Sequence, residues 1–144
     1  MFRQLTDSLS VSPQIALADV AAAAAAGVTL IINNRPEGED PDQTPGDAIE
    51  RAARSAGMDY VAIPVTHAGF SEPQVKAMAE ALNRAGEGKV LAYCRSGTRS
   101  TLLWSLAEAS QGADPEELAG IAAQAGYDLG SVRALLDMLS ANAQ

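Results

Sequence analysis

The stretch "LAYCRSGTRSTLLW", Leu91 to Trp104, holds the only cysteine of this 144-residue chain. The apolar and aromatic residues before Cys94 predict a buried strand over Lys89 to Tyr93. A loop with one glycine and two arginines follows, and a helix is predicted to begin near Arg99 or Ser100. The thiol therefore lies where a strand turns into a helix.

The rest of the chain alternates between strand and helix patterns, which is typical of a sheet with helices on its faces. Further strands are predicted as a short edge strand within Leu5–Ile15, at Val28–Asn33 and at Tyr60–Val65. Further helices are predicted over Leu17–Ala26, from an N-cap at Thr44 to Ala56, from an N-cap at Ser71 to Ala85, over Pro115–Ala125 after an Asp114 cap, and from Ser131 to about Ala143. The expected architecture is a single α/β domain over residues 1–144, with a central, mostly parallel sheet of about four strands, flanking helices and a helical C-terminus.

The composition limits the cofactors and the location that we expect. With one cysteine and one histidine, the monomer can assemble neither a disulfide nor a zinc site of four ligands, so no metal or cofactor is predicted. The N-terminal "MFRQLTDSLSVS" lacks the pattern of a signal peptide, and no apolar run approaches the ~20 residues that span a bilayer. A cytoplasmic protein without membrane contact is therefore predicted.

The charge of the chain limits its partners. A formal net charge of −8 opposes binding to nucleic acid and to anionic membranes. Residues 112–144 loosely resemble a helix-turn-helix, but their five acidic residues accompany a single arginine, whereas a nucleic-acid surface is basic. A helical pair that completes the domain, with a possible homodimer contact, is the better interpretation. A small anionic substrate must then be held by a local positive site, and residues 89–107 contain Lys89, Arg95 and Arg99 without any acidic residue.

A thiol at the end of such a strand can act as a nucleophile. In open α/β sheets, ligands bind beyond the carboxyl ends of the strands, where a strand-to-helix turn directs backbone N–H groups at an anion. A nearby arginine and the helix N-terminus favour the thiolate, which is the reactive form. We therefore predict that Cys94 attacks an anionic substrate and that Arg99 stabilises the developing charge. Substrate contacts are predicted from the loop residues Arg95, Ser96, Gly97, Thr98 and Ser100. The alternative is a small buried core cysteine without chemistry.

A histidine in a neighbouring loop could assist. His67, in "THAGF" at 66–70, could serve as a general acid or a substrate ligand, because imidazole changes its charge near neutral pH. The alternative is an exposed or merely hydrogen-bonded ring.

An arginine after the predicted central strand is a second accessory candidate. Arg35, in "NNRPEGE", could reach the cysteine loop from the end of the neighbouring strand. The alternative is a structural ion pair with Glu37, Glu39 or Asp40. The acidic residues at 37–42 are themselves interpreted as a solvated surface rather than a lid or a metal-binding strip.

Four blocks of the sequence carry a family resemblance. They are "VSPQI" at 11–15, "IINNRPEGE" at 31–39, "YVAIPV" at 60–65 and "LAYCRSGTRS" at 91–100. Together they resemble the β-lactamase-hydrolase-like, protein-phosphatase-like family of small bacterial domains. The resemblance implies the fold of cysteine phosphatases, with Cys94 as the nucleophile and the loop from Arg95 to Arg99 as the binder of the substrate anion.

The cysteine loop departs from the phosphatase pattern in its length. Cysteine phosphatases resemble one another in having five residues between cysteine and arginine, whereas four residues separate Cys94 from Arg99. "CRSGTRS" is instead similar to the loop of rhodaneses, sulfurtransferases that carry a persulfide on cysteine. A shorter loop encloses less volume, so it suits one sulfane sulfur better than a phosphoryl group with three equatorial oxygens.

The loop around His67 lacks the aspartate with which such phosphatases protonate the leaving oxygen. An alkoxide is too basic to leave unaided at neutral pH, and "THAGFSE" offers only His67 and Glu72, whereas sulfite leaves thiosulfate without an acid. We therefore predict a thiolate-dependent enzyme. Sulfane-sulfur transfer is favoured, hydrolysis of a phosphomonoester is the alternative, and a non-catalytic anion-binding or interaction module is the second alternative.

Overall fold

The computed structural model describes residues 2–143, which form five strands, six α-helices and one 3₁₀ turn. The strands are β1 (Arg3–Gln4), β2 (Leu9–Ser12), β3 (Val28–Asn33), β4 (Asp59–Ala62) and β5 (Lys89–Tyr93). The helices are α1 (Leu17–Ala25), α2 (Gly46–Ser55), α3 (Glu72–Ala85), α4 (Thr98–Ser110), α5 (Pro115–Gln124) and α6 (Arg133–Asn142), and the 3₁₀ turn at Gly130–Val132 precedes α6. No helix formed by these residues has the length and apolar character needed to cross a membrane.

The strands form one sheet in the order β1-β2-β5-β3-β4. β1 is antiparallel to β2, and every other neighbouring pair is parallel. The predicted α/β fold, with a mostly parallel sheet, flanking helices and a helical C-terminus, is confirmed. Because β2, β3, β4 and β5 run in the same direction, their carboxyl ends meet at one edge of the sheet, and Cys94 directly follows β5.

The first strand of the prediction is not at the edge. The segment predicted as an edge strand contains β2, which lies between β1 and β5, and the two-residue β1 forms the edge as a fifth strand. A tight turn joins β1 to β2, in which Leu5 N–H donates to Leu9 O at 2.9 Å. Pro13 does not prevent an interior position, because it comes directly after the last residue of β2 and so removes no hydrogen bond of the ladder.

The start of α2 also differs from the prediction. Thr44 is not the N-cap; Pro45 takes that position and has no side-chain acceptor to offer. The carboxylate of Glu37 replaces it, accepting a hydrogen bond from Gly46 N–H at 2.8 Å. An acceptor from the preceding loop thus satisfies an N–H group that the helix leaves free.

Both faces of the sheet are covered. Along β5, Val90 and Ala92 pack into the apolar cluster with α3, α4, α5 and α6, whereas Leu91 and Tyr93 pack into the cluster with α1 and α2. This double burial explains the consecutive apolar residues at 30–32 in β3 and at 90–93 in β5. Tyr93, the last residue of β5, is a buried core residue.

Candidate active site

The candidate site lies at the edge of the sheet where the parallel strands end, and backbone hydrogen bonds join the loops there. Cys94 N–H donates to Ser12 O at 3.3 Å, and Asn34 N–H donates to Tyr93 O at 2.8 Å. Val65 N–H in turn donates to Asn34 O at 3.0 Å. The segments that follow β2, β3, β4 and β5 are therefore held side by side.

Cys94 is fully buried, but it belongs to neither apolar cluster. Its sulfur accepts a hydrogen bond from Gly97 N–H at 3.1 Å. Gly97 precedes the first residue of α4 and has a φ of +91°, a left-handed conformation that glycine adopts without steric cost. The amide and the positive end of the helix dipole both favour negative charge on the sulfur.

Three carbonyl groups of the cysteine loop, residues 94–97, are bonded to groups outside the loop. Arg95 O accepts from Gln14 N–H at 3.4 Å, and Ser96 O accepts from the Tyr127 hydroxyl at 3.3 Å. Gly97 O accepts from Thr101, from its N–H at 3.0 Å and from its Oγ1 at 2.8 Å. The N–H groups of Arg95 and Ser96 donate no hydrogen bond within residues 2–143. Carbonyls turned outward and free amides are what an anion-binding loop requires.

Arg99, in the first turn of α4, is bound on one side by an acidic residue. Its Nη1 and Nη2 donate to the two carboxylate oxygens of Glu39, each at 2.8 Å, and Nη1 also donates to Val65 O at 2.6 Å. The hydrogen bond with Glu39 is the main cause that raises the pKa of Arg99, and the charge of Glu39 and the nearby Cys94 side chain add to it. A permanently charged guanidinium therefore lies beside the sulfur.

Arg35 forms the ion pair that was the alternative to an accessory role at the cysteine loop, and that role stays a prediction. Its side chain is 4% exposed, with Nε donating to Glu39 Oε1 at 2.8 Å and Nη2 donating to Asp40 Oδ2 at 2.6 Å. Nη1 donates to Gln14 Oε1 at 3.0 Å. This arrangement confirms the structural ion pair with Glu39 and Asp40. Glu37 instead accepts a hydrogen bond from Gly46 N–H at the start of α2.

The interpretation of residues 37–42 as a solvated surface is wrong for Glu39. Its side chain is 16% exposed and lies between two guanidinium groups. The hydrogen bond from Arg99, followed by that from Arg35, outweighs burial and lowers the pKa of Glu39 to about 2. Sequence reasoning named Glu39 only as a possible partner of Arg35 and missed its contact with Arg99, because that contact depends on the pairing of β3 with β5, which only the structure shows.

The other predicted loop residues occupy different surroundings. Arg95 is 64% exposed, with Nε 3.8 Å from Asp40 Oδ2. Ser96 and Thr98 are exposed, and the Ser96 hydroxyl donates to Thr98 Oγ1 at 3.0 Å. Ser100 is fully buried and donates to Asn34 Oδ1 at 2.8 Å. The hydroxyl of Ser100 thus already donates a hydrogen bond to Asn34, which directly follows β3. A contact between Ser100 and a substrate stays a prediction.

His67 is not part of this network. Its ring is exposed and forms no hydrogen bond or ion pair within residues 2–143. Across the same residues, the structure brings together no group of three His, Cys, Asp or Glu side chains that could hold a metal ion.

The fold and the thiol-bearing loop define the class of protein as cysteine-phosphatase-like. A solved kinase-associated phosphatase, in which serine replaces the catalytic cysteine, superimposes with a TM-score of 0.75 over 97% of this chain and 94% of the other. At 15% identity this likeness shows the fold alone.

The chain belongs to the family described as beta-lactamase hydrolase-like protein, phosphatase-like domain, whose model matches residues 1–111. A beta-lactamase hydrolase-like protein of Agrobacterium fabrum is 40% identical over 110 residues, which make up 76% of this chain and 25% of the relative. The chain thus spans about a quarter of the length of the curated relatives it matches. A candidate phosphatase of Neisseria meningitidis, 34% identical, superimposes with a TM-score of 0.81 over 99% of this chain and 97% of the other. The family resemblance of the four sequence blocks is therefore confirmed.

Proposed function

We propose that the chain is a cysteine-dependent enzyme whose covalent intermediate forms on Cys94, and that its reaction is the transfer of sulfane sulfur. The observation that carries this proposal is the length of the loop. Only four residues separate Cys94 from Arg99, and Gly97 N–H already lies 3.1 Å from the sulfur. Such a loop suits one added sulfur atom better than a phosphoryl group with three equatorial oxygens.

The chemistry needs a thiolate and a negatively charged donor such as thiosulfate. The Cys94 thiolate attacks the outer sulfur of thiosulfate, so that a new S–S bond forms while the S–S bond of the donor breaks and its electron pair leaves with sulfite. A thiolate acceptor then attacks the outer sulfur of the Cys94 persulfide, and Cys94 leaves as the thiolate. Arg99 and the free amides of Arg95 and Ser96 would stabilise the negative charge during both steps.

A phosphatase is the second candidate, because the family and the neighbouring folds are phosphatase-like. Cys94 would then attack phosphorus, and the alcohol would need a proton to leave. The loop after β4 contains no aspartate, and His67 is exposed outside the network. Cys94 also has no exposed surface, so the groups that cover it must move before a substrate can reach the sulfur. A single sulfur atom needs less room there than a phosphoryl group. These observations favour sulfur transfer.

The two candidates are separated by incubating the purified protein with thiosulfate or with an aryl phosphate. Because Cys94 is the only thiol, a gain of one sulfur atom in the intact mass that is lost in Cys94→Ser supports sulfur transfer. Release of phosphate that depends on Cys94 supports the phosphatase instead. A protein that is inert in both assays supports the non-catalytic anion-binding module. The cytoplasmic location and the homodimer contact stay predictions.

A further inference from the structure

Tyr127, in the connection between α5 and α6, touches the cysteine loop from outside the residues that the family model matches. Its hydroxyl donates to Ser96 O at 3.3 Å. A Cβ at Gly97 would collide with the same hydroxyl, so the tyrosine packs directly on the loop backbone. Burial is the main cause that raises the pKa of Tyr127, which keeps the hydroxyl protonated as a donor.

The bonded atoms belong to a single peptide group. Ser96 O and Gly97 N–H are the two ends of one planar trans peptide, and they point in opposite directions. Tyr127 binds the oxygen end at 3.3 Å, and the sulfur of Cys94 binds the N–H end at 3.1 Å. Rotation of this peptide about its neighbouring bonds would turn the amide away from the sulfur, and the bond from Tyr127 opposes that rotation.

We propose that Tyr127 is a positioning residue, which fixes the Ser96–Gly97 peptide so that the Gly97 amide stabilises the thiolate of Cys94. This inference deepens the proposed function, but the state of the thiol can be measured whether or not sulfur is transferred. Arg3 supports the tyrosine: its guanidinium carbon lies 5.2 Å from the ring centroid, and Nη1 donates to Ala125 O at 3.0 Å. The C-terminal segment thereby becomes part of the site.

The variant Tyr127→Phe removes only the hydroxyl group. Formation of the Cys94 thiolate is followed by its ultraviolet absorbance during a pH titration, and Cys94→Ser provides the blank. We expect the thiol of Tyr127→Phe to ionise at higher pH than that of the wild type. Persulfide formation from thiosulfate should be slower by roughly threefold to tenfold, the range that one net hydrogen bond represents. The matched control is Tyr60→Phe, which removes a hydroxyl that accepts from Asn33 Nδ2 at 2.9 Å away from the loop. This control should titrate as the wild type does.

A thiol of Tyr127→Phe that ionises at the wild-type pH, or at a lower one, overturns the inference. If Tyr127→Phe does not fold, the same titration is made on Arg3→Gln, an exposed position where we expect a smaller change in the same direction. An unchanged titration of that variant overturns the inference equally. If the wild type gains no sulfur from thiosulfate, the proposed sulfur transfer is wrong. The pH titration of the thiol still tests the role of Tyr127 in that case.

Discussion

At the scale of single residues, Arg99 has several partners at once. Glu39 and Val65 use three of its N–H groups, through Nη1 and Nη2, and a guanidinium has five donors in a rigid fork. The Nε–H group of Arg99 and the remaining N–H group of Nη2 form one edge of the guanidinium, which is available to the sulfur of Cys94 and to a substrate anion. A lysine has a single nitrogen, so it cannot bind Glu39 and Val65 and also reach the sulfur and a substrate anion in this geometry.

Arg99→Lys should therefore slow persulfide formation by about tenfold to a hundredfold, because the charge remains but the fork that directs it is lost. The measurement is the rate at which one sulfur atom is added to Cys94 with thiosulfate in excess. Arg51→Lys is the matched control, since Arg51 is 73% exposed on α2 and pairs only with Asp47 at 3.5 Å. Equal rates in the two variants would contradict this account of Arg99.

At the scale of elements, the turn from β5 into α4 depends on the connection between α5 and α6. Gly97 has a φ of +91° and packs against Tyr127, so both the backbone and the neighbouring segment exclude a side chain there. The cysteine loop is thus shaped by Tyr127, in the connection between α5 and α6, which follows Ser96 by 31 residues.

Gly97→Ala should lower the free energy of unfolding by about 1–3 kcal/mol, because alanine is strained at positive φ and its methyl group would displace Tyr127. Denaturant unfolding measures this loss. Gly120→Ala is the matched control: Gly120 lies within α5 with no atom close to a new Cβ, so the helix should gain up to about 1 kcal/mol. A Gly97→Ala protein as stable as the wild type would show that the loop tolerates a side chain.

At the scale of the whole molecule, one ionic network connects segments that follow different strands. Arg35 and Glu39 come after β3, Gln14 comes after β2, and Arg99 lies in the first turn of α4, after β5. The carboxylate of Glu39 lies at the centre of this network, and its ionisation therefore contributes to the stability of the entire sheet edge.

Acid should weaken this network. Because the pKa of Glu39 falls from 4.5 to about 2 on folding, its stabilising contribution is complete above pH 4.5 and is lost as the pH falls from 4.5 toward 2. Thermal unfolding between pH 6 and about 3 should show a smaller loss of stability in Glu39→Gln than in the wild type. Burial raises the pKa of Glu108, which acts in the opposite direction but equally in both proteins. The same pH dependence in both proteins would contradict a central role for Glu39.

The sequence by itself determined most of the elements and the position of the thiol between a strand and a helix. The runs Val28–Asn33 and Lys89–Tyr93 were predicted with the bounds that the structure gives, because apolar, β-branched residues between turn-forming residues are local signals. Asp114 caps α5 as predicted, accepting from Glu116 N–H at 3.2 Å, since a cap depends on residues two or three positions away. The position of Cys94 between β5 and α4 followed from the same local patterns.

Only the tertiary structure decided which distant groups complete the site. Glu39 and Arg99 are separated by 60 positions and Tyr127 and Ser96 by 31, so no short-range pattern joins them. The order of strands also brought β2 inside the sheet and left β1 at its edge. The physical reason is that capping and periodicity act between neighbours in the chain, whereas strand order and ion pairs depend on how the layers pack around the whole core.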